Sequence, residues 1–396
     1  MPPLPLDQLP VEGKRVLVRA DLNVPLTDGQ ITDDSRIRAS LPTLRNLLDR
    51  GAAVIIMTHL GRPKGAVVPE LRLDPVSRQL SDLLGQAVRK LDDCVGDEVA
   101  AAVAVLKPGE VVLLENLRFH DGETKNDPDF ARGLAALADA YVNDAFGTCH
   151  RAHASVVGVA GLLPSAEGLL VARERRALDR LVNDPKRPYL AIIGGAKVAD
   201  KITVIRSLLA RVDRLLVGGA MAYTFLKAAG HEIGASLLDR EHLADVAGLL
   251  KEDRAGAKKL HLPVDHVAVT AGRRESSLTD GVAIPAGSSG IDIGPRTIRA
   301  FSDLIASSAT IFANGPMGKF EEPPFDTGTK ALLRAIADSK AFSVIGGGDS
   351  IAAAHQADVA DRIGHLCTGG GASMEYLTGA PLPGIAALEA AAERRL

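Results

Sequence analysis

Residues 189–201 read YLAIIGGAKVADK, and this stretch sets out the organisation of the whole chain. Its apolar run, Tyr189 to Ile193, predicts a buried strand, because parallel strands covered on both faces are continuously hydrophobic. Two glycines end the run, and a helix is expected to follow with Lys197 and Lys201 four residues apart on one face. Ligands of open α/β sheets bind outside the carboxyl ends of the strands. The stretch therefore predicts an α/β fold with an anion site at a strand end.

Short apolar runs alternate with amphipathic segments along the whole chain, which is the pattern of parallel α/β architecture. The predicted strands are Arg15 to Arg19, Ala53 to Met57, Val111 to Leu114, Ala140 to Val142, Tyr189 to Ile193, Arg214 to Val217, Lys259 to Leu262, Ala309 to Ala313 and Phe342 to Ile345. Between the first two, a helix with Ile37, Leu41 and Leu44 on its apolar face is expected to end at Gly51.

A charged helix is predicted from Ser165 to Asp184, and Pro185 and Pro188 separate it from the next strand. A chain of 396 residues exceeds what one hydrophobic core usually supports. We therefore expect two doubly wound, three-layer α/β/α domains with parallel sheets, joined by a long helix and hinge. The predicted parts are a domain of residues 1–165, the joining segment 166–184, a domain of residues 185–380, and a tail, 381–396, that packs back on the first domain.

Composition and charge argue against several classes of function. The formal net charge is -3 and the basic residues form no runs, so neither nucleic acid nor a membrane surface is expected as a partner. Cys94, Cys149 and Cys367 have no metal-like spacing and cannot make a disulfide framework. No apolar run reaches the roughly 18 residues of a spanning helix, and no secretory signal pattern is visible. A cytoplasmic setting is the simplest expectation.

The two halves carry different residues at the ends of their predicted strands. Arginines mark the first half, namely Arg19, Arg36, Arg62, Arg118 and Arg151. Glycine clusters mark the second half, at 194–195, 218–219, 315–318, 346–348 and 369–371. Guanidinium groups hold small anions through paired hydrogen bonds, and arginine at such sites needs an anionic partner. Glycine turns that open helices let backbone N–H groups approach phosphates. The segregation predicts two anionic substrates on two domains.

Each of these segments also has a purely structural interpretation. Asp, Asn, Gly and Pro favour turns and helix caps, which could account for the polar segments after the first two strands. The loop 194–201 could serve tight strand-to-helix packing, and it matches neither the Walker A nor the G-x-G-x-x-G spacing. Asp349 could cap a helix or bind Mg²⁺. His150 and His153 are weak as a metal pair, and could instead contact a phosphorylated ligand or form a turn.

The chain resembles the phosphoglycerate kinase family over essentially its whole length. The matching segments, in the family's order, are RADLNVP (19–25), THLGRPKG (58–65), ENLRF (115–119), DAFGTCHRAHAS (144–155), GGAKVADKI (194–202), NGPMGKFE (314–321), GGGDS (346–350) and TGGGAS (368–373). The resemblance implies glycolytic, reversible phosphoryl transfer from 1,3-bisphosphoglycerate to MgADP, giving 3-phosphoglycerate and MgATP, in a cytoplasmic monomer that closes by hinge motion.

The same resemblance assigns roles to individual residues. The implied 3-phosphoglycerate ligands are Asp21, Asn23, Arg36, His59, Leu60, Gly61, Arg62, Arg118 and Arg151. The implied nucleotide ligands are Lys197, Lys201, Gly219, Gly294, Asn314, Glu321, Gly347, Gly348, Asp349 and Ser350, with Asp349 as the Mg²⁺ ligand. Arg36, Lys197 and Gly371 are implied to stabilise the phosphoryl group in transfer. Ala313, where the family often has Trp, and Lys319, where it usually has a small apolar residue, depart from the family pattern.

Two other classes of protein share part of this pattern. An NAD-dependent dehydrogenase has α/β domains, but no strand here is followed by the dinucleotide glycine spacing. A non-catalytic nucleotide-binding α/β protein would keep the glycine loops and lose the charged catalytic groups, whereas Arg36, Lys197 and Asp349 are all present.

Overall fold

Two six-stranded parallel sheets organise the part of the chain that the structure describes, residues 1–199, 201–272 and 275–394. The structure is a computed structural model. The chain divides into two units, the first formed by Met1–Arg176 with the segment from Pro381 onward, the second by Ala177–Ala380. Each sheet is covered by helices, so the predicted fold class of two α/β domains with parallel sheets is confirmed.

The first sheet is built from strands that are buried on both faces. The elements of this half are β1 (Arg15–Ala20), β2 (Leu26–Thr27), β3 (Gln30–Ile31), α1 (Ser35–Asp49), β4 (Ala53–Met57), α2 (Asp74–Leu84), β5 (Val88–Lys90), α3 (Asp97–Ala104), β6 (Val111–Leu113), α4 (Asp121–Thr124), α5 (Pro128–Ala135), β7 (Ala140–Asp144), β8 (Ser165–Glu167) and α6 (Leu169–Val182). The strand order is β5-β6-β4-β1-β7-β8, and β2 and β3 form a small hairpin.

Central strand β1 shows why its sequence is continuously apolar. Val16 and Val18 pack with Leu44 of α1 on one face of the sheet, and Leu17 packs with Leu134 of α5 on the other. Because helices cover both faces of the sheet, the residues that point to either face in the middle of the strand are apolar. The polar residues that follow β1 are therefore delivered to the carboxyl edge of the sheet.

The second unit repeats this plan and adds a small antiparallel sheet. Its elements are β9 (Tyr189–Ile193), α7 (Ile202–Arg211), β10 (Arg214–Val217), α8 (Met221–Ala228), α9 (Leu243–Ala255), β11 (Leu260–His261), β12 (His266–Thr270), β13 (Ser276–Leu278), β14 (Ser288–Ile293), α10 (Pro295–Ala306), β15 (Thr310–Asn314), α11 (Thr327–Asp338), β16 (Phe342–Gly346), α12 (Gly348–Gln356), β17 (His365–Cys367) and α13 (Gly371–Leu377). The parallel order is β11-β10-β9-β15-β16-β17, and the antiparallel order is β13-β12-β14.

The prediction of one helix from Ser165 to Asp184 is wrong at its start. Residues 165–167 form edge strand β8, in which Ser165 pairs with Tyr141. The turn at Gly168 follows, and its N–H donates to the carbonyl of Asn143 at 2.8 Å. Helix α6 begins at Leu169 and ends at Val182. A three-residue strand carries too little periodicity to be distinguished from the first turn of a charged helix.

The C-terminal segment belongs to the first unit. Helix α14 (Pro383–Glu393) places Leu388 in the same hydrophobic cluster as Leu17 of β1. The N–H of Gly384 donates to the carbonyl of Cys149 at 2.8 Å. Among the described helices, none is both long enough and apolar enough to span a membrane.

Candidate functional site

The loop after β1 and the start of α1 bring two predicted residues into contact. Arg36 lies in the first turn of α1, and its Nη1 donates to Oδ2 of Asp21 at 2.5 Å. A cation at a helix N-terminus opposes the helix dipole, and the Asp21 carboxylate offsets that cost. The other oxygen of Asp21 is buried and has no hydrogen-bond partner among the described residues. Oδ1 of Asp21 is therefore an acceptor that no described residue uses, and the Arg36 side chain beside it is 39% exposed.

The loop after β4 is tied to the loop after β1. Strands β1 and β4 pair with Arg19 opposite Met57, so their carboxyl ends lie side by side. The N–H of Gly61 donates to Oδ1 of Asn23 at 2.9 Å, and the N–H of Leu60 donates to the side chain of Asn116 at 3.2 Å. These two bonds fix the backbone at Leu60 and Gly61, within the segment 59–62 that is predicted to bind the substrate.

Three further arginines crowd the same edge. Nη1 of Arg118 donates to the carbonyl of Gly61 at 2.8 Å, while its buried Nε has no partner in the described residues. Burial, together with the charges of Arg19 and Arg151, lowers the pKa of Arg118 to about 10. Arg62, Arg118 and Arg151 line one cavity of about 510 Å³. Such a concentration of positive charge favours an anionic ligand, because only an anion relieves the repulsion.

Arg19 does not share this role, contrary to the expectation that every strand-exit arginine awaits an anionic ligand. It lies within β1, and its side chain is fully buried. All three of its guanidinium nitrogens donate to protein atoms, on Ser155, Ala20 and His59. Its partners are supplied by the fold itself.

The contacts of His150 and His153 bear on the three interpretations that the sequence leaves open for them. In the residues that the structure describes, neither belongs to a group of three His, Cys, Asp or Glu side chains with ligand atoms within 4.8 Å of one another. His153 lines the arginine cavity, and Arg151 Nε donates to His150 Nε2 at 3.1 Å. The turn and anion-contact interpretations are the ones that agree with this geometry.

In the second unit, the loops after β9 and β15 pack directly on one another. The N–H of Gly194 donates to the carbonyl of Asn314 at 2.8 Å. Nζ of Lys201 donates to the carbonyl of Gly194 at 2.7 Å and lies 3.4 Å from that of Asn314. Lys197 is exposed. Lys201 therefore links the two loops, whereas the charge of Lys197 is exposed to solvent.

The loop after β16 joins the same site through α12. Nδ2 of Asn314 donates to the carbonyl of Gly346 at 2.8 Å, and the N–H of Gly315 donates to Oγ of Ser350 at 2.6 Å. The N-cap of α12 is Gly347, with Asp349 in the first helical turn. Asp349 is therefore not the N-cap, and its exposed carboxylate is available for a ligand.

Two adjoining cavities collect most of the predicted nucleotide residues. The smaller, of about 310 Å³, is lined by Lys197, Lys201, Asn314, Gly347, Gly348, Asp349 and Ser350, among others. The larger, of about 540 Å³, is lined by Gly219, Glu321, Lys319 and Asp349, among others. Asp349 lines both, so a ligand that fills both cavities passes this carboxylate.

Two predicted residues lie elsewhere in the second unit. Gly294 is the N-cap of α10, packs against Asp265, and lines neither of the two cavities. Gly371 is the first residue of α13 and also lines neither. Sequence reasoning placed Gly294 in the site only through family resemblance, and Gly371 through the glycine cluster 369–371 together with that resemblance.

The larger cavity also contains residues that the sequence analysis missed. Ala235, Leu237, Ser289 and Gly290 line it, and they come from segments with no charged or glycine-cluster signal. A Cβ on Gly290 would lie 2.3 Å from Oη of Tyr223, so only glycine fits there. Strand β14 of the unpredicted antiparallel sheet supplies Ser289 and Gly290, and the segment between α8 and α9 supplies Ala235 and Leu237.

Comparison with known proteins gives one consistent family. The family model described as phosphoglycerate kinase matches residues 6–380. The phosphoglycerate kinase of Moorella thermoacetica is 53% identical over 390 residues, which are 98% of this chain and 99% of that protein. The phosphoglycerate kinase of Rubrobacter xylanophilus is 53% identical over 383 residues, 96% of each chain.

Solved structures agree in fold over the full length. The phosphoglycerate kinase from Coxiella burnetii has a TM-score of 0.89 at 39% identity, covering 98% of this chain and 99% of that chain. The phosphoglycerate kinase from Pyrococcus horikoshii OT3 has a TM-score of 0.84 at 35% identity, covering 99% and 100%.

Proposed function

Because the chain belongs to the phosphoglycerate kinase family, we propose that its first unit binds 3-phosphoglycerate and its second unit binds the nucleotide. The chain is a glycolytic kinase that transfers phosphate to a carboxyl group, with ATP or ADP as co-substrate. The dehydrogenase and the non-catalytic nucleotide-binding protein are not favoured by any of the comparisons.

The assignment of 3-phosphoglycerate rests on one observation, the arginine cavity of the first unit. Arg62, Arg118 and Arg151 line a space of about 510 Å³, and the buried Nε of Arg118 has no hydrogen-bond partner within the described part of the chain. A phosphate accepts several charge-assisted hydrogen bonds, which these guanidinium groups can donate. Asp21 and Asn23 sit at the neighbouring loop, where an acceptor and an amide suit a hydroxyl and a carboxylate.

The nucleotide is proposed to fill the two cavities of the second unit. Its phosphates would meet Lys197, Lys201 and the start of α12, and its base and ribose would enter the larger cavity beside Glu321. Asp349 fits a Mg²⁺ ligand, because Mg²⁺ bound to a nucleotide usually takes one or two protein carboxylates and the phosphate oxygens. When bound, Mg²⁺ would neutralise charge on the phosphates.

Phosphoryl transfer requires the protein to align the two substrates and to neutralise the charge on the transferring phosphoryl group. A carboxylate attacks without losing a proton, so the site needs no strong general base. Arg36 of the first unit and Lys197 of the second are proposed to contact the transferring phosphoryl group, with the amides at Gly371 adding donors. Because these groups belong to different units, transfer is proposed to require closure about a hinge that includes α6, which also excludes water from the acyl phosphate. We also propose that the protein is a monomer and that it is located in the cytoplasm.

The experiment that tests this function is a coupled assay. Purified protein with 1,3-bisphosphoglycerate, ADP and Mg²⁺ is expected to form ATP, and removal of Mg²⁺ with a chelator is expected to abolish the rate. An absence of ATP formation with folded protein would refute the assignment. Light scattering on the same sample measures the mass against the 41.4 kDa of one chain.

A further inference from the structure

Four buried side chains of the first unit, those of Glu123, Ser155, Arg19 and His59, form a continuous series of polar contacts. Oε1 of Glu123 accepts from Oγ of Ser155 at 2.7 Å, and Oγ of Ser155 accepts from Nε of Arg19 at 2.9 Å. Nη2 of Arg19 lies 3.1 Å from Nδ1 of His59. Glu123, Ser155 and Arg19 are fully buried, and His59 is 4% exposed. The series therefore links α4 to the loop after β4 entirely inside the protein.

The contact between Arg19 and His59 determines which ring nitrogen of His59 carries the proton. A guanidinium has only N–H donors and stays protonated in proteins, so the Arg19–His59 contact requires His59 Nδ1 to be the acceptor. A neutral imidazole that accepts at Nδ1 carries its proton on Nε2. A doubly protonated ring would place two N–H groups against each other in a dry site.

The surroundings of His59 also disfavour its charged form. The groups that act on it are Arg19 of β1, Arg36 of α1, Arg118 after β6, and His153 before the turn 154–158. Burial, followed by the charges of these groups, places the pKa of His59 well below its ordinary value. Glu123, the acidic member of the series, reaches His59 only through Ser155 and Arg19.

The anchor of Arg19 is itself well held. Oε2 of Glu123 accepts from the N–H of Ser155 at 2.9 Å, so this serine is bound through both of its donors. Nδ1 of His153 is 3.6 Å from Oε1 of Glu123, which is too long for a hydrogen bond. The negative charge of buried Glu123 also compensates the positive charge of buried Arg19. Either charge, buried without the other, would carry a large cost of desolvation.

We propose that Arg19, anchored by Glu123 through Ser155, is a positioning residue that holds His59 as its neutral Nε2–H tautomer. His59 does not line the arginine cavity, and the family resemblance names it as a 3-phosphoglycerate ligand, to which Nε2–H would then offer a hydrogen bond of fixed orientation. This inference rests on the proposed function for the meaning of the anion site, but the tautomer itself is a property of the free protein.

Nitrogen-15 NMR of the imidazole rings tests the proposal directly, because a protonated and an unprotonated ring nitrogen differ in chemical shift. The His59 signals are assigned by their loss in His59→Gln. In the wild-type protein, Nδ1 is expected to be unprotonated and Nε2 protonated from about pH 5 to 8. A proton on Nδ1, or titration of the ring within that range, would overturn the proposal without any variant.

Two variants test the role of the anchor. Arg19→Met/Glu123→Gln removes both charges together, and is expected to populate the Nδ1–H tautomer, so that the two nitrogen shifts move toward each other. Ser155→Ala, which keeps both charges, is expected to move them in the same direction by less. Unchanged shifts in a folded variant would refute the positioning role. The matched control, Arg15→Met/Asp139→Asn, removes another arginine–carboxylate pair on β1 and is expected to leave the His59 shifts as in the wild type.

Binding measurements separate this inference from the proposed function. In Arg19→Met/Glu123→Gln, the KM for 3-phosphoglycerate is expected to rise by about tenfold, the loss of one well-placed hydrogen bond, with kcat within about threefold. The same KM in variant and wild type would count against the inference. A wild-type protein with the Nε2–H tautomer that fails to bind 3-phosphoglycerate would refute the proposed function and leave the inference standing.

Discussion

Among single residues, the arginines of the first unit have two different roles. Arg19 and Arg36 both belong to the arginine pattern of the first half, and only the family resemblance separates them, by naming Arg36 and not Arg19 as a ligand. Arg19 is enclosed by the fold, whereas Arg36 keeps 39% of its side chain exposed beside Asp21. The difference arises from Glu123 and Ser155, which are distant in sequence and gave no signal of their own. Charge pattern therefore predicted the site but not which arginines remain free for a ligand.

Replacement of Arg36 by alanine tests the residue assigned to the phosphoryl group. We expect Arg36→Ala to lower kcat by on the order of 100-fold or more, with the KM for nucleotide changed little, because its contact strengthens in the transition state. Arg38→Ala on the same helix is the control, since Arg38 pairs with Asp34 at the surface and should retain kcat. Steady-state kinetics measure both, and an unchanged kcat in Arg36→Ala would remove this residue from the mechanism.

Lys201 is expected to act on nucleotide binding. Its Nζ already contacts the carbonyl of Gly194, so it is held beside the proposed phosphate position. Lys201→Ala should raise the Kd for ADP by about tenfold or more, the loss of one charge-assisted interaction. Lys227→Ala removes a surface lysine paired with Glu232 and should leave the Kd unchanged. Calorimetric titration decides, and a wild-type Kd in Lys201→Ala would contradict the assignment.

Among the structural elements, strands with a continuous apolar run were predictable, and several short strands without one were not. Strands β4, β9 and β10 match their predicted bounds, because each is a continuous run of four or five mainly apolar residues with a polar residue or a glycine directly after it. The edge strands β5, β8 and β17 have three residues each, too few to show a period. The antiparallel sheet was also missed, since exposed strand β13 has no apolar face.

The turn at Gly168 decides where α6 begins. A Cβ there would lie 2.1 Å from Oδ1 of Asp144, which accepts from the N–H of Leu170 at 2.9 Å. Gly168→Ala should therefore lower the free energy of unfolding by roughly 1–3 kcal/mol through overpacking. Gly161→Ala, at a position with no neighbour within 4 Å among the described residues, should change it by less than about 0.5 kcal/mol. Urea denaturation followed by circular dichroism measures both, and equal stabilities would refute this account of the turn.

Asp144 predicts a pH dependence of stability. Burial raises the pKa of Asp144 from 3.8 to about 7 in the folded protein, despite its hydrogen bonds with Thr43 and Leu170. The folded state then holds a proton that the unfolded state releases, so this contribution is complete below about pH 4 and is lost as pH rises to about 7. Asp144→Asn cannot titrate, so the stability of the wild type relative to this variant should fall by about 1–4 kcal/mol between those limits.

Urea unfolding of both proteins at several pH values measures this difference, in which the other titrating groups cancel. A difference that stays constant, or that grows with rising pH, would contradict the raised pKa of Asp144.

For the whole molecule, we propose that the two substrates bind to different units and that neither unit is an active site alone. The arginine cavity lies wholly in the first unit, and both nucleotide cavities lie wholly in the second. This division was visible in the sequence, because arginines and glycine clusters occupy different halves. The assignment of particular residues such as Gly294 and Gly371 depended on family resemblance, since their positions in three dimensions do not follow from spacing.

Small-angle X-ray scattering with both substrates bound tests whether the two units come together only when each holds its ligand. 3-Phosphoglycerate and MgADP together cannot react, so they report on substrate-driven closure without turnover. We expect the radius of gyration to fall when both are present, and to fall less with either alone, because only the pair brings the charges of both units to one place. A radius of gyration that is the same with both ligands bound as with none would contradict the account.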